Sequence, residues 1–304
     1  MSASPKRRLQ AIATFLLVAL TAVWGSTFFL IRDLVQTVPP ADFLAIRFTL
    51  AAALMVALFW RPLRTLERRD VIVGMGLGAL YGGAQLLQTA GLAHTDASVS
   101  GFITGTYVVL TPVITAALLR ERVPASTWYA VSLATAGLAL LSLNGVSVGI
   151  GETLTLMAAA LYALHIIGLG RYSTAARAAG MSVVQMIVIA AFCLVVAVPD
   201  GITWPQSTGQ WWSVIYMATA AGVLALWSQT WAQAHMTATR AAIVMTLEPV
   251  FAAGFAVALG GESLTGRMML GGALVLAAMY VVELAGRQPD RPSTHVSEAL
   301  HHDV

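Results

Sequence analysis

The sequence predicts an all-α polytopic membrane protein, with about ten transmembrane helices laid out as two inverted five-helix repeats. Three observations carry this expectation: an apolar composition, a duplicated pattern, and basic residues gathered on alternate connecting segments. Of 304 residues, 58% are hydrophobic and only 10% charged, and the mean hydropathy is +0.78. A soluble domain of this size needs far more charge to wet its surface. Apolar blocks of ~20 residues, each long enough to cross a bilayer as a helix, recur along almost the whole chain. The net charge of +3 and pI near 9.3 do not point to nucleic acid, because Lys and Arg fall between apolar blocks rather than on one face. The single cysteine, Cys193, sits inside an apolar block and excludes an intrachain disulfide.

Taken in order, crossings are expected at roughly 9–31, 40–60, 71–93, 97–119, 125–143, 152–170, 181–198, 211–234, 239–259 and 267–286. Pro39-Pro40, Arg61-Pro62, Pro124, Asn144-Gly145, Pro199-Asp200-Gly201 and Gly260-Gly261 mark breaks between them. Lys6-Arg7-Arg8 before an apolar run resembles a cleaved signal, but the run reaches about Ile31 and is the first of many, so it is read as a retained crossing. The expected organisation is a cytoplasmic segment 1–8, a first repeat 9–144, a second repeat 145–286 and a cytoplasmic disordered tail 287–304.

The duplication is explicit. Gln88-Thr89, Ala93-His94 and Ala97 return with the same spacing as Gln229-Thr230, Ala234-His235 and Ala238. The same ungapped offset superposes Glu121 on Glu262 and Leu133-x-x-Ala136 on Leu274-x-x-Ala277. Self-similarity at a fixed offset means that the second half folds as the first does. With the N-terminus inside, the cytoplasmic segments hold Lys6, Arg7, Arg8, Arg61, Arg64, Arg68, Arg69, Arg120, Arg122, Arg171, Arg177, Arg240, Arg287 and Arg291. The outside segments hold only Arg32 and Arg267, a positive-inside bias that places both termini in the cytoplasm. A repeat of five crossings, an odd number, inserts its second copy upside down. Two inverted copies about an axis in the membrane plane give related conformations of opposite access, which is a transporter architecture.

Short motifs add a resemblance. Trp24-Gly25-Ser26 lies in the first crossing and Arg47-Phe48 in the second. Leu247-Glu248-Pro249-Val250-Phe251-Ala252-Ala253 follows in the ninth, then Gly261-Glu262-x-Leu264 and Gly271-Gly272-Ala273-Leu274. In order and spacing, over nearly the whole chain, these resemble the drug/metabolite transporter superfamily and its EamA-type ten-helix members. The resemblance implies efflux of metabolites across a bacterial inner membrane, from a central cavity lined by the first, third and fourth helices and their second-repeat counterparts. One departure is Tyr162-Ala163 in the sixth crossing where the first has Trp24-Gly25, so close packing there is expected to be weaker.

The candidate solute-binding residues are Trp24, Thr27, Tyr81, Gln85, Thr104, Tyr107, Tyr162, His165, Trp227, Met245 and Glu248. Glu248 lies ~13 Å from the inner end of its crossing at helical rise, where a carboxylate is costly. A polar cavity or a coupling proton accounts for it. So does a protonated carboxyl bonding the carbonyl that Pro249 leaves free. The offset pairs Glu248 with Tyr107, which is followed by Pro112, and proline-interrupted helices at corresponding places point to a transport site. Arg47, ~10 Å from its outer end, either attracts an anion, pairs with Glu248, snorkels, or acts structurally. Tyr81, Gln85 and Gln88 share one face of the third crossing. Trp227 either stacks on an aromatic solute or packs in the ordinary way, while Trp231 reads as a belt residue. His165 is deep enough to titrate within the membrane, although a lone His is more often held by a neighbouring carbonyl. Ser26, Thr27 and Thr104 either bond a solute or join helices. Gly74, Gly78 and Gly82 read as small-residue helix packing.

A second class, an intramembrane enzyme, needs a nucleophile beside a base. The one Gly-x-Ser-x-Gly, at 145–149, stands in the connection between two apolar blocks, and His94 and His235 belong to opposite membrane faces. No zinc-spaced cluster appears, so no metal, cofactor or catalytic residue is expected. A channel or a non-transporting scaffold is the third class, and no filter motif or charge ring supports a channel. The sequence expectation is therefore a secondary transporter, an exporter of amino acids or amphipathic drug-like solutes by alternating access, with protons as a possible coupling ion. An importer or exchanger of the same fold is the alternative. Oligomeric state is left open.

Overall fold

In the computed structural model the chain is described over residues 5–35, 37–94, 97–142, 149–259 and 264–285. The expected tail from Arg287, the mate Gly261-Glu262 and the boundary Asn144-Gly145 lie outside these. All regular structure among the described residues is helical. The helices are α1 (Pro5–Leu34), α2 (Pro40–Arg64), α3 (Arg68–Leu92), α4 (Ala97–Gly105), α5 (Tyr107–Leu119), α6 (Ala125–Ser142) and α7 (Ile150–Tyr172). They continue with α8 (Ala178–Ala197), α9 (Thr208–Ala218), a π-helical segment Thr219–Leu224, α10 (Ala225–Gln233), α11 (Ala238–Met245), α12 (Leu247–Leu259) and α13 (Gly266–Ala285). Among the described residues, seven stretches are long and apolar enough to cross a membrane, shorter apolar helices lie at Ile103–Leu119 and Gly266–Val281, and with α6 these answer to the ten expected crossings. The fourth crossing is α4 with α5, the eighth α9 to α10, and the ninth α11 with α12. The first helix begins at Pro5, so it takes up the basic residues expected to precede it.

Alternation of the crossings is visible in what the connections touch. At one end, Arg177 of the α7–α8 connection reaches Asp70 at 2.8 Å and Glu67 at 3.0 Å, both at the start of α3. Arg171 lies 3.5 Å from Glu121 of the α5–α6 connection at the same end. Hydrogen bonding from Asp70, reinforced by the charge of Glu67, holds the Arg177 guanidinium further above its ordinary value. A raised cation stabilises the fold below its unfolded value and loses that only in strong alkali, so this link is constant through neutral pH. At the other end, Thr203 N donates to Asp42 Oδ2 (2.9 Å) and Gln210 Nε2 donates to Thr37 Oγ1 (2.7 Å). The described basic residues that flank the crossings crowd the first end. Arg267 stands at the second.

The two halves are related residue by residue. The first crossing packs on the ninth and the eighth as the sixth packs on the fourth and the third. The second and seventh pack on each other, as do the fifth and tenth. Glu67 and Asp70 form the capping box that opens α3, and Ser207 and Gln210 form the one that opens α9. These boxes are 140 positions apart, whereas Gln88 and Gln229 are 141 apart. The π segment Thr219–Leu224 supplies the difference, because a π turn takes up one extra residue within a helix. Helix contacts use small residues: a Cβ on Gly78 would stand 2.7 Å from Gln185 O. A Cβ on Gly74 would stand 3.1 Å from Val184 Cβ, so this glycine stripe seats α3 on α8.

Candidate functional site

The fourth and ninth crossings break in mid-course, at Thr106 and Thr246. Each of these threonines turns its hydroxyl back to a carbonyl one turn earlier, Ile103 O and Ile243 O respectively. α5 and α12 therefore begin in the interior, and each start carries the positive end of its helix dipole. Tyr107 is the first residue of α5, and Glu248 the second of α12. The ungapped pairing of Glu248 with Tyr107 is thus one residue out at the break, since α11 is one residue shorter than α4. The prolines do not correspond either. Pro249 sits in the first turn of α12, where a missing N–H costs nothing, while Pro112 lies inside α5.

Glu248 is half-buried. Its carboxyl makes no hydrogen bond or ion pair among the described residues, so the carbonyl freed by Pro249 is not its partner. It lies within electrostatic reach of the phenols of Tyr81, Tyr107 and Tyr162. Gly25 brings the first crossing onto it: a Cβ there would stand 2.9 Å from Glu248 O and 2.8 Å from Ala252 N. Beside Gly25, Trp24 Nε1 donates to Ala221 O (3.0 Å), a carbonyl of the π segment.

The other face of the site is a chain of amides and phenols. Gln85 Nε2 donates to Tyr162 Oη (2.7 Å), Tyr162 Oη donates to Gln88 Oε1 (2.8 Å), and Gln88 Nε2 donates to Thr104 Oγ1 (2.9 Å). Tyr162 meets Tyr81 edge-on with centroids 5.6 Å apart, and Tyr81 meets His165 at 5.1 Å. His165 is fully buried, with Nε2 2.9 Å from Gln185 Oε1. Trp24 and Tyr162 are symmetry mates, as expected: Trp24 meets Ala221 of the eighth crossing as Tyr162 meets Tyr81 of the third, and Gly222 meets Ala51 as Gly82 meets Ile189. Tyr162→Phe deletes the hydroxyl that links both glutamines and strands Gln88 Oε1. The half-saturation concentration for solute should rise roughly five- to tenfold, measured as transport in vesicles.

Arg47 is buried and neither snorkels nor pairs with Glu248. Its Nε donates to Met217 O at 3.3 Å, its guanidinium lies 4.8 Å from the Phe48 centroid, and no acidic partner stands beside it among the described residues. Trp227 turns away from the tyrosines and stacks on Phe59 at 6.0 Å. Thr27 bonds Trp24 O, and Met245 faces Gln229, whose Nε2 is 3.7 Å from its sulfur. Unforeseen are the π segment, the Ser26–Tyr216 hydroxyl pair at 2.7 Å, and Gln185, whose only sequence signal is an amide alone in an apolar crossing.

Access to the site is lopsided. Gln85 and Gln88, towards the Arg-poor end, are half-buried, whereas their mates Leu226 and Gln229 are 3% and 2% exposed. Ala241, Ala242, Ile243 and Val244 close the Arg-rich half with no accessible surface. No group of three or more potential metal ligands occurs among the described residues.

Two related halves, and broken helices that meet beside a buried polar chain, are the architecture of a membrane transporter. The family model of the EamA-like transporter family matches residues 11–143 and again 149–284, and the chain belongs to that family. It is 31% identical to a protein of Archaeoglobus fulgidus named "Uncharacterized transporter", over 91% of this chain and 87% of that one. It is 28% identical to a Salmonella typhimurium protein named "Probable amino-acid metabolite efflux pump", over 88% of this chain and 93% of that one. A crystal structure at 18% identity superposes with a TM-score of 0.73, covering 90% of this chain and 97% of its own. That likeness speaks for the fold alone.

Proposed function

We propose that the chain exports small amphipathic metabolites, hydrophobic amino acids foremost, by alternating access, with Glu248 carrying a coupling proton. The observation that carries this is the unpartnered Glu248 carboxyl, placed with Tyr81, Tyr107 and Tyr162 where two crossings break. The aromatic edges suit an apolar side chain, and the Gln85–Tyr162–Gln88–Thr104 chain supplies both donors and acceptors for a polar head. Membership of a transporter family and the name of the Salmonella relative support the same direction. The membrane is a bacterial inner membrane, and both termini are cytoplasmic, as the crowding of arginine at one end suggests.

Alternating access follows from the duplication. Exchanging the roles of the two repeats turns a pathway open at the Arg-poor end into one open at the Arg-rich end. Cells overproducing the protein and loaded with dipeptides should release L-phenylalanine faster than cells lacking it. Equal release of every amino acid tested from both strains would remove this solute class.

A further inference from the structure

We propose that the buried pair Gln229 and Gln233, at the Arg-rich half of the eighth crossing, forms a second solute subsite, which takes a hydrogen-bond-donating group such as an amine. The inference rests on the transport reading above. Gln233 Nε2 donates to Ile166 O at 2.9 Å, which leaves its Oε1 turned to Gln229. Gln229 Nε2 donates to that oxygen at 3.1 Å. Reversing the Gln229 amide would set two carbonyl oxygens against each other, so its orientation is fixed by the network. Gln229 Oε1 is then a buried acceptor with no donor among the described residues. Such an atom is costly and calls for a partner.

The other repeat shows what belongs there. Gln88 reaches Thr104 just as Gln229 reaches Met245, both across the same pair of crossings. The carbonyl of Gln88 is occupied by the phenol of Tyr162. The residue at the position of Tyr162 in the first repeat is Trp24, which meets Ala221 as Tyr162 meets Tyr81. Its indole N–H is spent on Ala221 O at 3.0 Å and does not reach Gln229. One repeat fills its acceptor with its own side chain, and the other leaves it open. An amide carbonyl beside a second amide and a thioether favours N–H or O–H donors and offers nothing to a carboxylate. When the Arg-rich end opens, Gln229 Oε1 becomes the first acceptor a solute amine meets.

The test uses membrane vesicles of both orientations, sided by a reporter at the N-terminus, with L-phenylalanine and its des-amino analogue 3-phenylpropionate as probes. Gln229→Leu should raise half-saturation for L-phenylalanine about tenfold at the Arg-rich face and less than about twofold at the other. Inhibition by 3-phenylpropionate should not move. Gln229→Glu, which keeps an acceptor at the same place, should keep near-normal values. Equal effects at both faces, or none, overturn the subsite while leaving the transport reading intact. A wild-type protein that carries no L-phenylalanine from either face removes that reading, and the subsite with it.

Discussion

Glu248→Gln is expected to abolish the pH dependence of transport while leaving solute exchange running. The substitution keeps the size and hydrogen-bonding reach of the side chain and removes only its capacity to take and release a proton. The carboxyl is suited to that task because no cation or donor among the described residues fixes its charge, and Arg47 is committed to Met217 O. A charge at this depth is expensive, so its protonation is set by which side of the membrane the cleft admits. The positive end of the α12 dipole lowers the cost of the ionised form when water enters. Proteoliposomes with an imposed pH gradient should show accumulation with the wild-type protein and none with Glu248→Gln, although counterflow at equal pH persists. Glu248→Ala, which also deletes the hydrogen-bonding head, should slow counterflow roughly tenfold. A Gln variant with an unchanged pH profile removes Glu248 as the coupling group.

Gly25→Val is expected to be strongly damaging to packing at the site. Any Cβ at this position meets Ala252 N and Phe251 Cβ at 2.8 Å and Glu248 O at 2.9 Å, two of them backbone atoms that no rotamer change can clear. The first crossing must back away from the ninth at the level where the site is built. Overpacking of this kind costs about 1–3 kcal/mol or more, and a melting temperature in detergent lowered by several degrees with transport lost is the expected result. Gly76 provides the contrast, because nothing lies within 4 Å of a Cβ there. Gly76→Ala should be neutral or stabilise by about 0.5–1 kcal/mol through helix propensity. Equal tolerance of both substitutions would mean that the close approach of Gly25 to α12 does not hold the site together.

Much of the fold could be read from residues alone, since apolar length and arginine placement are set by the bilayer and not by neighbours. The ten expected crossings match the helices to within a few residues. The ungapped repeat told which crossings correspond. What it missed were the one-residue adjustments, at the π segment and at the break before Glu248, because backbone hydrogen bonding absorbs them without changing the apolar pattern. Side-chain direction was the weaker part. Nothing in the spacing tells that Trp227 turns to Phe59 on another crossing, or that Arg47 finds a carbonyl rather than a carboxylate. Tyr81, Gln85 and Gln88 did share a face as the helical period requires, and that face does carry the polar chain to Tyr162.

Positions 88 and 229 offer the sharpest test of two inverted halves exchanging access. With Cys193 replaced by Ala, a cysteine is placed at one or the other and challenged with a membrane-impermeant thiol reagent from each side. Position 88 should react only from the Arg-poor face and position 229 only from the Arg-rich face, and a condition that speeds one should slow the other. Labelling of both positions from one face, or rates that rise and fall together, would contradict the inverted arrangement.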